Sequence, residues 1–206
     1  MLPFPLLLES HVKGALLLKV SAGSIVEGLL VYNNFTSGDQ WLGFANYGVI
    51  NAISVPFAAF TNTYAIEVIV AVTEAQRPRF EKYVLTSQGS PAWGSPTMLN
   101  LARPGCWGFD ENGNHVASAN YSDHYLIYIS NPVSVANSVF MLDLSSRATE
   151  RVTTAVLVST RQDQATPMIA LAEDSGLPPP GRPAIVFSHP LIASGLGTLI
   201  GFQQGV

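Results

Sequence analysis

Charge is scarce in this chain of 206 residues: Asp, Glu, Lys and Arg make up 12% of it, about half the roughly 25% usual for soluble domains. Three Lys and seven Arg stand against 14 acidic residues, for a formal net charge of -4, and no stretch gathers the cations into a basic tail. A direct grip on a nucleic-acid backbone is therefore not expected, because that affinity comes from Lys and Arg clustered at phosphates. Cysteine is nearly missing too. The lone Cys106 excludes an intramolecular disulfide and any multi-cysteine zinc site, and it reads as an inert half-buried thiol between Gly105 and Trp107 rather than a nucleophile. No apolar run approaches the roughly 20 residues that span a bilayer. The first nine residues, MLPFPLLLE, lack the basic start of a signal peptide and hold two prolines, so an extended packing arm is expected there. Leu2 stands where myristoylation requires Gly.

What is present is an ordinary hydrophobic fraction, 48%, with polarity supplied by Asn, Ser, Thr, Gln and Gly. Such side chains hydrate a surface yet desolvate more cheaply at an interface than Lys or Glu, which favours a protein that assembles with others. The length suits one large β-sandwich. Alternation is the dominant period: in 65–73 (AIEVIVAVT) Ile66, Val68, Val70 and Val72 share one face. Residues 151–159 (RVTTAVLVS) repeat it, with Val152, Val156 and Val158 expected inward. Further strands are expected at 14–20, 27–33, 49–55, 80–86, 124–130, 138–144 and 183–188. Turn signals separate them, among them Asn112-Gly113 and Asn131-Pro132, as in a sandwich or barrel. Helix is poorly supported, because 17 Gly and 14 Pro interrupt most windows. The best helical candidate is the short stretch 166–172.

The expected organisation is an N-terminal extended arm over 1–12, a β-sandwich domain over 13–175 and an extended C-terminal tail over 176–206. Within the sandwich, 88–123 collects Pro, Gly, Trp93 and Trp107 and reads as a long surface insertion of the kind that carries recognition.

Candidate chemistry is thin. No G-x-S-x-G elbow occurs. Asp123 and His124 are neighbours on a strand and point to opposite faces, so they cannot readily pair, and His124 reads as a half-buried, hydrogen-bonded histidine. Residues 110–115 (DENGNH) offer oxygens at alternate positions, like a calcium loop, but His115 replaces the required Gly. A hairpin turn at Asn112-Gly113 is the better reading. The sequons Asn34-Phe-Thr36 and Asn120-Tyr-Ser122 matter only in a secreted protein. The expectation is no enzyme, with no catalytic, cofactor-binding or metal-ligating residue and no cofactor.

One segment is similar to a known family. Residues 13–20 (KGALLLKV) and 26–32 (VEGLLVY), followed by 53–57 (ISVPF) and 61–64 (TNTY), resemble paired strands and a strand-closing motif in coat proteins of picornavirus-like capsids. The resemblance implies an all-β, antiparallel jelly-roll β-sandwich with long loops, acting as a structural subunit of an icosahedral viral capsid that encloses an RNA genome. It implies other capsid protein subunits and a host receptor as partners, and the virion and host cytoplasm as location. The alternative is an oligomeric β-sandwich binding module, lectin-like or C1q-like; an enzyme using His124 or Asp110 ranks third.

Overall fold

The computed structural model describes residues 65–87, 105–131, 139–166, 169–170, 183–193 and 196–205. The expected arm and the strands at 14–20, 27–33 and 49–55 lie outside them. Within them the chain runs β1 (Ala65–Thr73), α1 (Arg77–Ser87), β2 (Trp107–Phe109), β3 (His115–Ala117), β4 (Asp123–Asn131), a short 3-10 turn (Leu144–Ser146), α2 (Ala148–Thr160), β5 (Gln164–Ala165), β6 (Ile169–Ala170), β7 (Pro183–Ala193) and β8 (Leu196–Gly205).

The alternating run at 65–73 forms β1 as expected, an interior strand between β4 and β8 in an antiparallel sheet ordered β4-β1-β8-β7-β5, with β6 also on β7. Both faces of β1 are covered: Val68, Val70 and Val72 are buried on one, Glu67 and Ile69 on the other. Along the β1–β4 pair the register shifts once, Val68 facing Ile129 and Ile69 facing Ile127. Tyr128 is thus the extra residue of a β-bulge, and its buried ring meets Phe80 of α1 edge-on at 5.6 Å.

The expected antiparallel strands at 65–73, 124–130 and 183–188 are present. The expected all-β jelly-roll sandwich is not what the described residues form, since they give antiparallel sheet plus two α-helices. The stretch 80–86 is helical within α1: Phe80 and Val84, both buried, stand four apart on one face, and Pro78 sits in the first turn, where no backbone donor is lost.

The larger reversal is at 151–159, which is helix α2. The helix buries Glu150, Thr154 and Leu157, while the valines expected inward are exposed, Val152 at 63%, Val156 at 40% and Val158 at 43%. Its β-branched threonines are accommodated because Thr153, Thr154 and Thr160 donate to the carbonyls of Thr149, Glu150 and Val156, each four residues back. Burial pushes the Glu150 carboxyl up from its ordinary value although Arg147 Nε lies 2.9 Å away.

Residues 138–144 also depart from expectation: their described part is a turn followed by single bridges from Leu142 to Trp107 and from Asp143 to Leu126. Met141 takes a left-handed backbone, φ 63°, while fully buried, a conformation few non-glycine residues adopt. Of the expected 166–172 helix, residues 167, 168, 171 and 172 lie outside the described residues, and Ile169–Ala170 is strand. Within the expected surface insertion, Cys106, Trp107 and Gly108 are buried. The expected C-terminal tail contributes β7 and β8, which pair over their length and add β8 to β1.

Candidate functional site

Where β1 ends and β4 begins, the sheet register sets His124 opposite Val72 and Asp123 opposite Thr73. As expected of neighbours on a strand, the two part ways: Asp123 is exposed and His124 is completely buried. A buried imidazole needs partners, and they come from two other parts of the chain. Nδ1 lies 2.6 Å from Asp143 Oδ2 and Nε2 lies 2.6 Å from Glu74 Oε2. A carboxylate faces each ring nitrogen, an arrangement that favours the imidazolium, in which both nitrogens donate. Tyr121 stands edge-on to it at 6.0 Å.

Asp143 anchors the inner end and is itself wholly buried. Its Oδ1 accepts from the backbone N–H groups of Tyr125, 3.2 Å, and Ser145, 2.9 Å. Its Oδ2 accepts from His124 and from the Ser118 hydroxyl, 2.5 Å. The bond from Ser145 caps the 3-10 turn that leads into α2. Asp143 is held in depth by its backbone as well, its N–H donating to Trp107 O at 2.7 Å. The Trp107 indole donates to Phe140 O at 2.8 Å.

The outer end belongs to the turn between β1 and α1. Glu74 is held by a backbone bond from its N–H to Ser122 O, 3.1 Å, and its Oε1 accepts from Arg77 Nη2 at 2.7 Å. Arg77 also donates to Ser118 O and to Asn120 Oδ1, at 3.0 and 3.2 Å. Charges thus alternate along Asp143, His124, Glu74 and Arg77, the first two fully buried and the last two partly exposed.

Burial alone would lower the His124 pKa, but the hydrogen bonds to Asp143 and Glu74 outweigh it and hold the imidazole above its ordinary value. Burial likewise works to raise Asp143, and the bonds from His124, Ser118 and Ser145 reverse that and hold it below the usual carboxylate range. For Glu74 desolvation is the largest single effect and works upward, but His124 and Arg77 together overcome it and hold the carboxyl below its ordinary value.

The geometry is not that of a nucleophile beside a base. The Ser118 hydroxyl donates to the carboxylate of Asp143 rather than to a free imidazole nitrogen, and neither ring nitrogen is left to accept a proton. Among the described residues no group of His, Cys, Asp and Glu has the arrangement to hold a metal ion. No helix among them is long and apolar enough to cross a membrane.

The sequence singled out His124 but none of its partners. Asp143 carried a signal, a carboxylate inside the apolar run FMLDL; Glu74, Arg77 and Ser118 carried none, because only the fold brings them together. Asp110 lies apart, at the β2–β3 hairpin, where its Oδ1 accepts from the N–H groups of Asn112 and Asn114, both at 2.8 Å. Gly113 takes φ 81° there, the left-handed geometry that the Asn112-Gly113 pair was expected to supply. Cys106 is buried, and desolvation followed by the nearby Glu81 carboxylate pushes its thiol well up.

A family model for the CHASE domain matches residues 56–201. No curated protein matches the chain. CHASE domains are sensory domains of receptor-type signalling proteins, so the match overturns the resemblance of 13–64 to capsid proteins and what followed from it. The capsid role, the coat-protein and host-receptor partners and the virion location all fall. Nor does the match favour a lectin-like or C1q-like module. The matched span takes in every described element up to residue 201 of β8 and covers well over half of the sequence: the chain belongs to the CHASE domain family.

Proposed function

We propose that this chain is the sensory module of a receptor-type signalling protein, the part that takes up a stimulus and answers it with a change of conformation. The observation that carries the reading is the CHASE-domain match over residues 56–201. A six-stranded antiparallel sheet, the two-stranded β2–β3 sheet, α1 and α2 make up the frame among the described residues.

The chain of charges from Asp143 to Arg77 supports the reading from the physical side. A sensor requires two states that a ligand binds unequally. Buried hydrogen-bonded networks rearrange in discrete steps, because a half-satisfied intermediate leaves buried charge uncompensated. Here one such network joins the turn ahead of α1 to β4 and to the turn ahead of α2, so a displacement at Glu74 is felt at both.

Thermal unfolding of the chain against a panel of amino acids, nucleobases, carboxylic acids and amines tests this. A ligand of the folded state raises stability by RT ln(1 + [L]/Kd), about 2.7 kcal/mol at one hundred times Kd. It should also slow amide exchange between Glu74 and Arg77. A panel without any concentration-dependent shift would count against a small-molecule sensor.

A further inference from the structure

We propose that Asn120 is an acceptor of an N-linked oligosaccharide, an inference that rests on the receptor reading above because it requires passage through a secretory pathway. Asn120-Tyr121-Ser122 is an N-x-[ST] sequon. It lies in the connection between β3 and β4, outside any strand or helix, with Asn120 and Ser122 exposed and Tyr121 half-buried between them. Tyr121 is the inward residue, its ring edge-on to His124 at 6.0 Å and its N–H donating to Ala119 O at 3.0 Å. The two residues that glycosylation needs are thereby presented outward on an anchored loop.

The folded state can also hold the sugar once it is attached. Among the described residues the Asn120 side chain makes one hydrogen bond, and it does so through Oδ1, which accepts from Arg77 Nη2 at 3.2 Å. Glycosylation uses the other atom. A bond forms between Nδ2 and the anomeric carbon of a polyprenyl-diphosphate-linked oligosaccharide. The bond from that carbon to the diphosphate oxygen breaks, the diphosphate leaves with the electron pair, and Nδ2 gives one proton to solvent. Oδ1 keeps its lone pairs, so the bond from Arg77 survives. The glycan would stand directly over the surface end of the His124 network.

The test is to route the full chain through the secretory pathway of a eukaryotic cell, beside a control glycoprotein, and map the peptide carrying Asn120. The expected result is a mass shift removed by peptide N-glycosidase, with deamidation at position 120 incorporating heavy oxygen from labelled water. N120Q and S122A should each abolish the shift, while S122T, which retains the sequon, should keep it. An unmodified Asn120 in cells that glycosylate the control overturns the proposal, and so does a shift that persists in S122A. Neither outcome bears on the ligand panel, and a failed panel would leave the occupancy of Asn120 standing, so the two readings fail separately.

Discussion

Nδ1 of His124 lies 2.6 Å from Oδ2 of Asp143, and neither side chain has any contact with solvent. Removing one partner of such a pair leaves the other charged and buried, which typically costs about 3–5 kcal/mol. Asp143→Asn is the sharpest way to show it: the new amide removes the negative charge, and its nitrogen or oxygen must displace at least one of the four bonds the carboxylate accepts. The expected outcome is a loss of about 3 kcal/mol or more, read as a lower urea midpoint at unchanged slope. A loss under about 1 kcal/mol, the scale of an ordinary neutral hydrogen bond, would mean the pair is not ionised.

The pH dependence follows from the directions of the shifts. The folded pKa of His124 is raised, so its contribution is fully present below the unfolded value of about 6.5 and is lost as pH climbs through the folded one. That of Asp143 is lowered, so its contribution is present above about 3.9 and is lost as pH falls through the folded value. The stabilisation from this pair is therefore greatest between about pH 4 and 6.5. Urea midpoints across pH should decline above that window in the native chain, and the decline should flatten in His124→Gln. A native profile still rising from pH 6.5 to 8 would contradict the paired imidazolium.

How much of this was legible in the sequence depended on what each period reported. The run 65–73 was correctly read as a strand because its valines are buried and β-branched, so propensity and burial agree. At 151–159 they disagree. The same alternation of Val and Thr lies on a helix whose covered face is Glu150, Thr154 and Leu157, a spacing of four and three hidden by polar residue types at two of the three positions. His124 was recognised as a hydrogen-bonded histidine, but it is wholly rather than half buried. Its partners lie 19 and 50 residues away in the chain, a distance that no local pattern spans. The capsid resemblance failed for a related reason: short alternating strands ending in Val-Pro record β structure and little else.

The inverted helix gives its own prediction. Val152 is 63% exposed and Leu157 fully covered, so Val152→Ser should change stability by no more than about 0.5 kcal/mol, whereas Leu157→Ala should cost about 2–5 kcal/mol. Had 151–159 been the strand that its alternation promised, Val152 would face the core and the order would reverse. Thermal or urea unfolding of the two variants decides between them.

Behind the site Gly108 of β2 leaves no room for a side chain beside Ser146, at the end of the 3-10 turn. A Cβ built on Gly108 would lie 2.5 Å from the Ser146 Cβ and 2.7 Å from its Oγ. Ser146 cannot readily yield, since its N–H and its hydroxyl both bond to the carbonyl of Asp143, at 3.0 and 2.6 Å. Gly108→Ala should therefore push on the residue that holds His124 and cost about 1–3 kcal/mol, the usual range for overpacking. Ser146→Gly removes the opposing Cβ. In a double-mutant cycle the two changes should then couple favourably by about 0.5–3 kcal/mol, as contacting residues do, with the alanine costing less beside the glycine than beside the serine. Gly105→Ala serves as the comparison: the nearest atoms its added Cβ would meet are the carboxylate end of Glu81, at 2.7 Å. That end can swing away at the expense of the bond it accepts from Cys106 N, 3.0 Å, so this variant should be milder. Strict additivity of Gly108→Ala and Ser146→Gly would show that β2 is not pressed against the turn, and that Asp143 owes its position to its hydrogen bonds alone.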